Sequence, residues 1–247
     1  MIIEPRPSVI FVDDGGTISD DRVRAEQWPR HIGEFLAPRL GSTAERWAAA
    51  NRDVFPRVWA DVGARMHAFA THREFLRTYD LAWLAAMCEA VGVSVPDEAE
   101  AMEIARGAHE YVSARVHAPI AGAVDAVRAL RDAGYELHTA SGTPSRELEA
   151  SLALLGIRGC FGRLFGADLV DVPKGSPEFY RRIFAALAID STTALVIDDS
   201  ERACVCAREV GARAVLIRDT STDGAGEWAA RSLAEVASWL VPDSKIP

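Results

Sequence analysis

The chain has 247 residues, of which 49% are apolar and 26% charged, and its net charge is −9. That composition excludes wholesale disorder, and the acidic balance argues against sequence-independent nucleic-acid binding, which needs a basic surface to displace counterions. No run approaches the roughly 18 apolar residues of a membrane-spanning helix. The opening MIIEPRPSVIF also lacks the basic region, apolar run and cleavage site of a signal peptide, so a cytoplasmic protein with neither membrane nor nucleic-acid partners is expected.

In chain order, residues 8–12 (SVIFV) read as a buried strand that ends in Asp13-Asp14-Gly15-Gly16-Thr17. Residues 20–117 read as helical throughout, with helices expected over 25–40, 43–58, 74–91 and 97–114 and breaks near Pro38, Gly41, Gly92 and Pro96. After Pro119 the pattern changes. Residues 121–133 are an amphipathic helix, 135–140 a strand running into Ser141-Gly142-Thr143-Pro144, and 145–155 a helix closed by Gly156. A helix over 177–187, a strand over 194–197 ending in Asp198-Asp199, a helix over 200–210 and a strand over 214–217 follow. Asp223–Gly226 reads as a turn. Short apolar strands alternating with helices indicate a parallel sheet covered by helices on both faces. The expected organisation is a Rossmannoid α/β core, residues 1–19 and 118–247, interrupted by an all-helical domain, residues 20–117.

Parallel sheets place ligands beyond the carboxyl ends of their strands. Four polar clusters fall there or beside them: Asp13 with Thr17, Ser141 with Gly142, Lys174, and Asp198 with Asp199. Each alone has a plain structural explanation. Asp199-Ser200 would cap the next helix and Ser141 the one before Leu148. Together they form a candidate site, because carboxylates converging from neighbouring strands repel by about 4 kcal/mol at 4 Å and an effective dielectric near 20. Either some of them are protonated or a cation sits among them, and a hard divalent ion, Mg²⁺ above all, suits a few carboxylates with phosphate and water. Lys174 and the Ser141 hydroxyl would then face phosphoryl oxygens. Lys174 carries extra weight because the 27 basic residues include only one other lysine, Lys245.

The ordered set FVDDGGT, TASGT, DVPKGSP and LVIDDS resembles the four motifs of the haloacid dehalogenase superfamily. The resemblance implies Asp13 as nucleophile, Thr17 orienting it, Ser141, Gly142 and Lys174 binding the phosphoryl group, and Mg²⁺ held by Asp13, the Gly15 backbone carbonyl, Asp198 and Asp199. It also implies that the helical insert is a substrate-selecting cap and that the substrate is a small phosphorylated or otherwise anionic molecule, for a monomer or homodimer. One position departs from the pattern. Phosphatases of this superfamily usually carry a second Asp two residues after the nucleophile, to protonate the leaving oxygen and activate water, and here that position is Gly15. Asp14 is one residue early and should point the other way on an extended segment. Losing a general acid–base typically removes about 10²–10⁴ in rate. The chain is then a slow phosphatase, one supplied with an acid by Asp20, Asp21 or a cap residue, or an enzyme whose leaving group needs no proton.

Three relatives lacking that Asp bear on the choice. Phosphonoacetaldehyde hydrolase requires a cap lysine, and no lysine precedes Lys174. Haloacid dehalogenases use no metal, and the adjacent pair Asp198-Asp199 does not match their fourth motif, so a 2-haloacid dehalogenase-like activity stands as the alternative. The third option is a weakened member that binds phosphorylated ligands. Elsewhere, Cys88, Cys160, Cys204 and Cys206 have neither zinc nor disulfide spacing. His31, His67, His72, His109 and His117 show no metal pattern, and Trp28, Trp47, Trp59 and Trp83 read as packing residues. Arg24, Arg30 and Arg65 are candidates to clamp an acidic substrate.

Overall fold

In the computed structural model, which describes residues 3–218 and 228–241, the run VIFV forms strand β1 (Val9–Val12), buried at every residue. It lies at the middle of a six-stranded sheet. β2 (Glu136–Ser141) and β3 (Leu164–Gly166) lie on one side of it, and β4 (Ala194–Asp198), β5 (Arg213–Ile217) and β6 (Trp228–Ala230) on the other. All five pairings are parallel, and the order β3-β2-β1-β4-β5-β6 reverses direction at β1. A parallel sheet is covered on both faces, which explains why β1 and β4 read as unbroken apolar runs.

Alternate residues of each strand feed two cores. Ile10, Val12, Leu137, Leu195, Ile197 and Val215 pack with α5 (Ala123–Asp132), α6 (Ser145–Leu154) and α10 (Leu233–Leu240). Val9, Phe11, Phe165, Val196 and Leu216 pack against α8 (Pro177–Leu187) and α9 (Glu201–Glu209), with the four-residue α7 (Ala167–Val170) beside them. Helix starts are fixed by side-chain caps: Ser176 accepts the Phe179 N–H, with Pro177 in the first turn of α8, and Ser200 accepts the Ala203 N–H at the start of α9.

Two compact units emerge, one comprising residues 3–21 with the described residues from Ala118 onward, the other Arg22–His117. The second is helical, built on α1 (Asp21–Leu40), α2 (Ala44–Asp61), α3 (His72–Val91) and α4 (Glu98–Ser113), with a 3₁₀ segment Gly63–Ala68 between α2 and α3. Thr43, Thr71 and Asp97 cap α2, α3 and α4, and Gly92 ends α3 in the left-handed conformation. Trp47 and Trp83 are core residues, Trp83 donating to Asn51 Oδ1, whereas Trp59 is half exposed and stacks on Phe55. Strands β3 and β6, helix α10 and the 3₁₀ segment carry no clear sequence signal of their own. The turn expected at Asp223–Gly226, and Lys245, lie outside the described residues. Among the described residues no cysteine is in a disulfide, and no helix is long and apolar enough to cross a membrane.

Candidate active site

The register of the two central strands builds the site. Val12 pairs with Ile197, so Asp13 and Asp198 follow side by side at the carboxyl ends of β1 and β4, and the Asp13 N–H donates to the Ile197 carbonyl at 3.0 Å. Side chains in register on adjacent parallel strands leave the sheet on the same side. Two carboxylates therefore meet where the strand order reverses, the position at which open α/β sheets hold their ligands.

Lys174 reaches into this pair from the loop between α7 and α8. Its Nζ lies 2.9 Å from Asp13 Oδ2 and 2.8 Å from Asp198 Oδ2, with the side chain 14% exposed. Burial alone would lower the ammonium pKa. The charges of Asp13 and Asp198, with their hydrogen bonds, more than offset burial and raise it above the ordinary value. Lys174 therefore stays charged, and Asp198 gives way: burial, then repulsion from Asp13, pushes its pKa up to about 7 against the pull of Lys174. Asp199 is also raised, first by burial and then by Asp13. Among the described residues, Asp13, Asp198 and Asp199 offer carboxylate oxygens within 4.8 Å of one another, a spacing that suits one metal ion.

The turn after β1 is shaped by Asp14, which is fully buried. Its carbonyl accepts the N–H groups of Ile18 and Ser19 at 2.8 Å, and its Oδ1 accepts the Ser19 hydroxyl at 2.9 Å. Asp14 thus holds the loop through its bonds to Ile18 and Ser19. Gly16 adopts φ +67°, and a Cβ there would stand 2.0 Å from Asp199 Oδ2. Only glycine lets the turn approach that carboxylate. Asp13 Oδ1 and Thr17 Oγ1 are buried with no protein partner. Thr17, expected to orient Asp13, makes no hydrogen bond to it; its hydroxyl faces the same unfilled demand for a partner.

Ser141 ends β2, is buried, and accepts the Thr143 N–H at 3.3 Å. It does not cap α6, whose N-cap is Pro144. Gly142 lies against the Lys174 stem, its Cβ position 4.0 Å from the lysine Cβ and Cδ. At β4, Ser200 rather than Asp199 caps α9, and Asp198 Oδ1 accepts the Ser200 N–H at 2.9 Å. Asp199 is left exposed and uncommitted to the helix. A residue that sequence reasoning missed is Tyr180. Its hydroxyl is buried without a partner, and its pKa is raised well above normal by burial, then by Asp198 and Asp13. A tyrosine in an amphipathic helix gives no sequence signal of such a neighbourhood. Arg30 and Arg65, candidates to clamp a substrate, are engaged locally with Glu34 and Asp61.

Comparison with known proteins follows the same lines. Solved structures share the fold at low identity. The HAD-hydrolase YfnB of Bacillus subtilis, bound to magnesium, matches with a TM-score of 0.66 at 16% identity, over 95% of this chain and 99% of that one. The L-2-haloacid dehalogenase of Xanthobacter autotrophicus with chloropropionic acid covalently bound gives 0.58 at 16%, over 96% and 97%. A HAD phosphatase from Thermococcus onnurineus gives 0.58 at 18%, over 93% and 95%. No curated protein matches the sequence. A family model described as haloacid dehalogenase-like hydrolase matches residues 7–211, a span containing all four motif segments, and on that match the chain belongs to the haloacid dehalogenase-like hydrolases.

Proposed function

We propose that this hydrolase is a Mg²⁺-dependent phosphohydrolase acting on a small phosphorylated metabolite through an aspartyl-phosphate on Asp13. The observation that carries the reading is the charge balance at the sheet edge: three carboxylates within 4.8 Å are met by one ammonium. Two of the three are buried, a further cation would relieve the excess negative charge, and the orphaned Asp13 Oδ1 is an oxygen such an ion would satisfy. The residues present therefore fit Mg²⁺. Asp13, Asp198, Asp199 and the Gly15 backbone carbonyl would hold it, and when bound it supplies positive charge to the phosphoryl oxygens.

The protein groups account for the rest. With Oδ1 given to the ion, Asp13 Oδ2, which Lys174 orients from 2.9 Å, is the oxygen left to attack phosphorus in line. Ser141 and Thr17 offer hydroxyls, and Gly142 backbone room, to the equatorial oxygens. The helical unit inserted between Asp21 and Ala118 is assigned the part of a substrate-selecting cap. Release of phosphate from a panel of phosphomonoesters and acyl phosphates, with and without Mg²⁺, tests the reading. Turnover should require the metal and vanish in Asp13→Asn. A second reading, carbon–halogen hydrolysis, is favoured by one feature, the glycine at position 15, since a departing halide needs no proton. Halide release from 2-haloacids without metal would establish it in place of the first.

A further inference from the structure

The glycines after β1 leave two side-chain spaces open, and a carboxylate stands at each. Asp199 fills the space at Gly16. At Gly15, the three nearest atoms to a built Cβ all belong to Asp21, with Oδ1 at 3.0 Å, Oδ2 at 3.1 Å and the carboxyl carbon at 3.4 Å. An aspartate at position 15 would carry its own carboxylate oxygens about 2.4 Å from that Cβ by standard bond lengths and angles. Asp21 therefore brings a carboxylate into contact with the space that a side chain at residue 15 would occupy. The chain path explains how. Gly15 bridges Ser19 in parallel, the Gly16 N–H donates to the Ser19 carbonyl at 2.9 Å, and the Asp20 N–H donates to the Ala118 carbonyl at 2.7 Å. This tight return aims the first residue of α1 at the turn it has just left. Asp21 is solvent-exposed, so it can exchange protons with water.

We propose that Asp21 is the general acid–base of this site, a carboxyl relocated from the turn to the start of α1. The inference rests on the phosphohydrolase reading. In the first step Asp13 bonds to phosphorus as the P–O bond to the leaving group breaks, and the departing oxygen takes the Asp21 proton. In the second, Asp21 takes a proton from water as the water oxygen attacks phosphorus. The P–O bond to Asp13 breaks, inorganic phosphate leaves, and both carboxyls return to their starting states.

The test uses the full chain with Mg²⁺ and four variants, Asp21→Asn, Asp21→Ser, Gly15→Asp and the double variant Gly15→Asp/Asp21→Asn. Each is assayed on an alkyl phosphate and on p-nitrophenyl phosphate, whose leaving group needs no proton. Both single replacements of Asp21 should lose about 10²–10⁴ in alkyl-phosphate turnover, and the double variant should regain about tenfold or more. On p-nitrophenyl phosphate, Asp21→Asn should give a stoichiometric burst of nitrophenolate before slow turnover, because phosphorylation no longer needs the acid while hydrolysis still needs the base. Serine keeps a residue suited to a helix start but removes the carboxyl, so retained turnover in Asp21→Ser would overturn the proposal. A missing burst together with no rescue would also overturn it, leaving the phosphohydrolase reading intact wherever the wild type is active. A wild type that releases no phosphate from any substrate would remove both.

Discussion

Lys174 spans two buried carboxylates with one charge, and that shortage governs the energetics of the site. Replacing it with methionine should cost about 3–5 kcal/mol in the metal-free protein, read as a lowered urea midpoint, because both partners are left buried without a cation. Asp13→Asn should do the reverse: it removes the excess charge, so the metal-free variant should melt at or above the wild type even though its phosphate release is lost. The pH response has a definite sign. The folded pKa of Asp198, about 7, lies above its ordinary 3.8, so the folded state holds an extra proton between these values. Its contribution to stability is present below about pH 4 and is lost as pH rises through 7, by up to about 1.4 kcal/mol per pH unit. Denaturation midpoints of metal-free protein across this range should show the loss, and saturating Mg²⁺ should reverse it; a pH-independent midpoint would contradict the shared-charge description. At this scale the sequence was legible in identities and less so in roles. Asp13, Lys174, Asp198 and Asp199 stand out as ordered polar strand-end and loop residues, whereas Thr17 makes no bond to Asp13, and Tyr180 gains its neighbours only through the packing of α8.

Among the elements, the turn after β1 carries the tightest constraint. Gly16→Ala would meet both a positive φ and the Asp199 carboxylate, at a cost of about 1–2 kcal/mol for the backbone conformation. Displacing Asp199 should also weaken Mg²⁺ binding measurably by calorimetry, whereas Gly41→Ala, at φ +79° with nothing nearby, should cost stability alone. In the helical unit, α3 and α4 oppose Asp80 to His109, with Oδ1 and Nε2 3.8 Å apart. Burial raises Asp80 to about 7 and lowers His109 to about 4. From about pH 4 to 6.5 the two act in opposite senses, the aspartate favouring folding at low pH and the histidine at high pH. With saturating Mg²⁺ present to remove the Asp198 dependence, Asp80→Asn should therefore expose the histidine's share, so that stability rises with pH across that window. A flat profile in the variant would contradict it. Elements with a sustained pattern, such as β1, β4 and α8, were legible from residue order. β3 (LFG) and β6 (WAA) are three residues each, too short for a period to show, and only their pairing with β2 and β5 makes them strands.

For the whole molecule, an acidic chain places its one internal lysine at the point where the sheet reverses and surrounds it with carboxylates. Net charge of −9 disfavours anionic ligands in general, so the proposed phosphorylated substrate would depend on a local field at that edge, and its binding should weaken steeply when Mg²⁺ is removed. The family and the α/β architecture were readable because they rest on motif order and on alternating strands and helices. Substrate choice was not, because the selection proposed for the helical insert depends on shape, and shape has no period. The most direct measurement is borohydride trapping after incubation with Mg²⁺ and an acyl phosphate, followed by peptide mapping. Reduction of an acyl-phosphate at Asp13 is expected, seen as homoserine in its place and absent without Mg²⁺. Unmodified Asp13 under turnover, or an ester formed at Asp13 from a 2-haloacid in metal-free buffer, would contradict it.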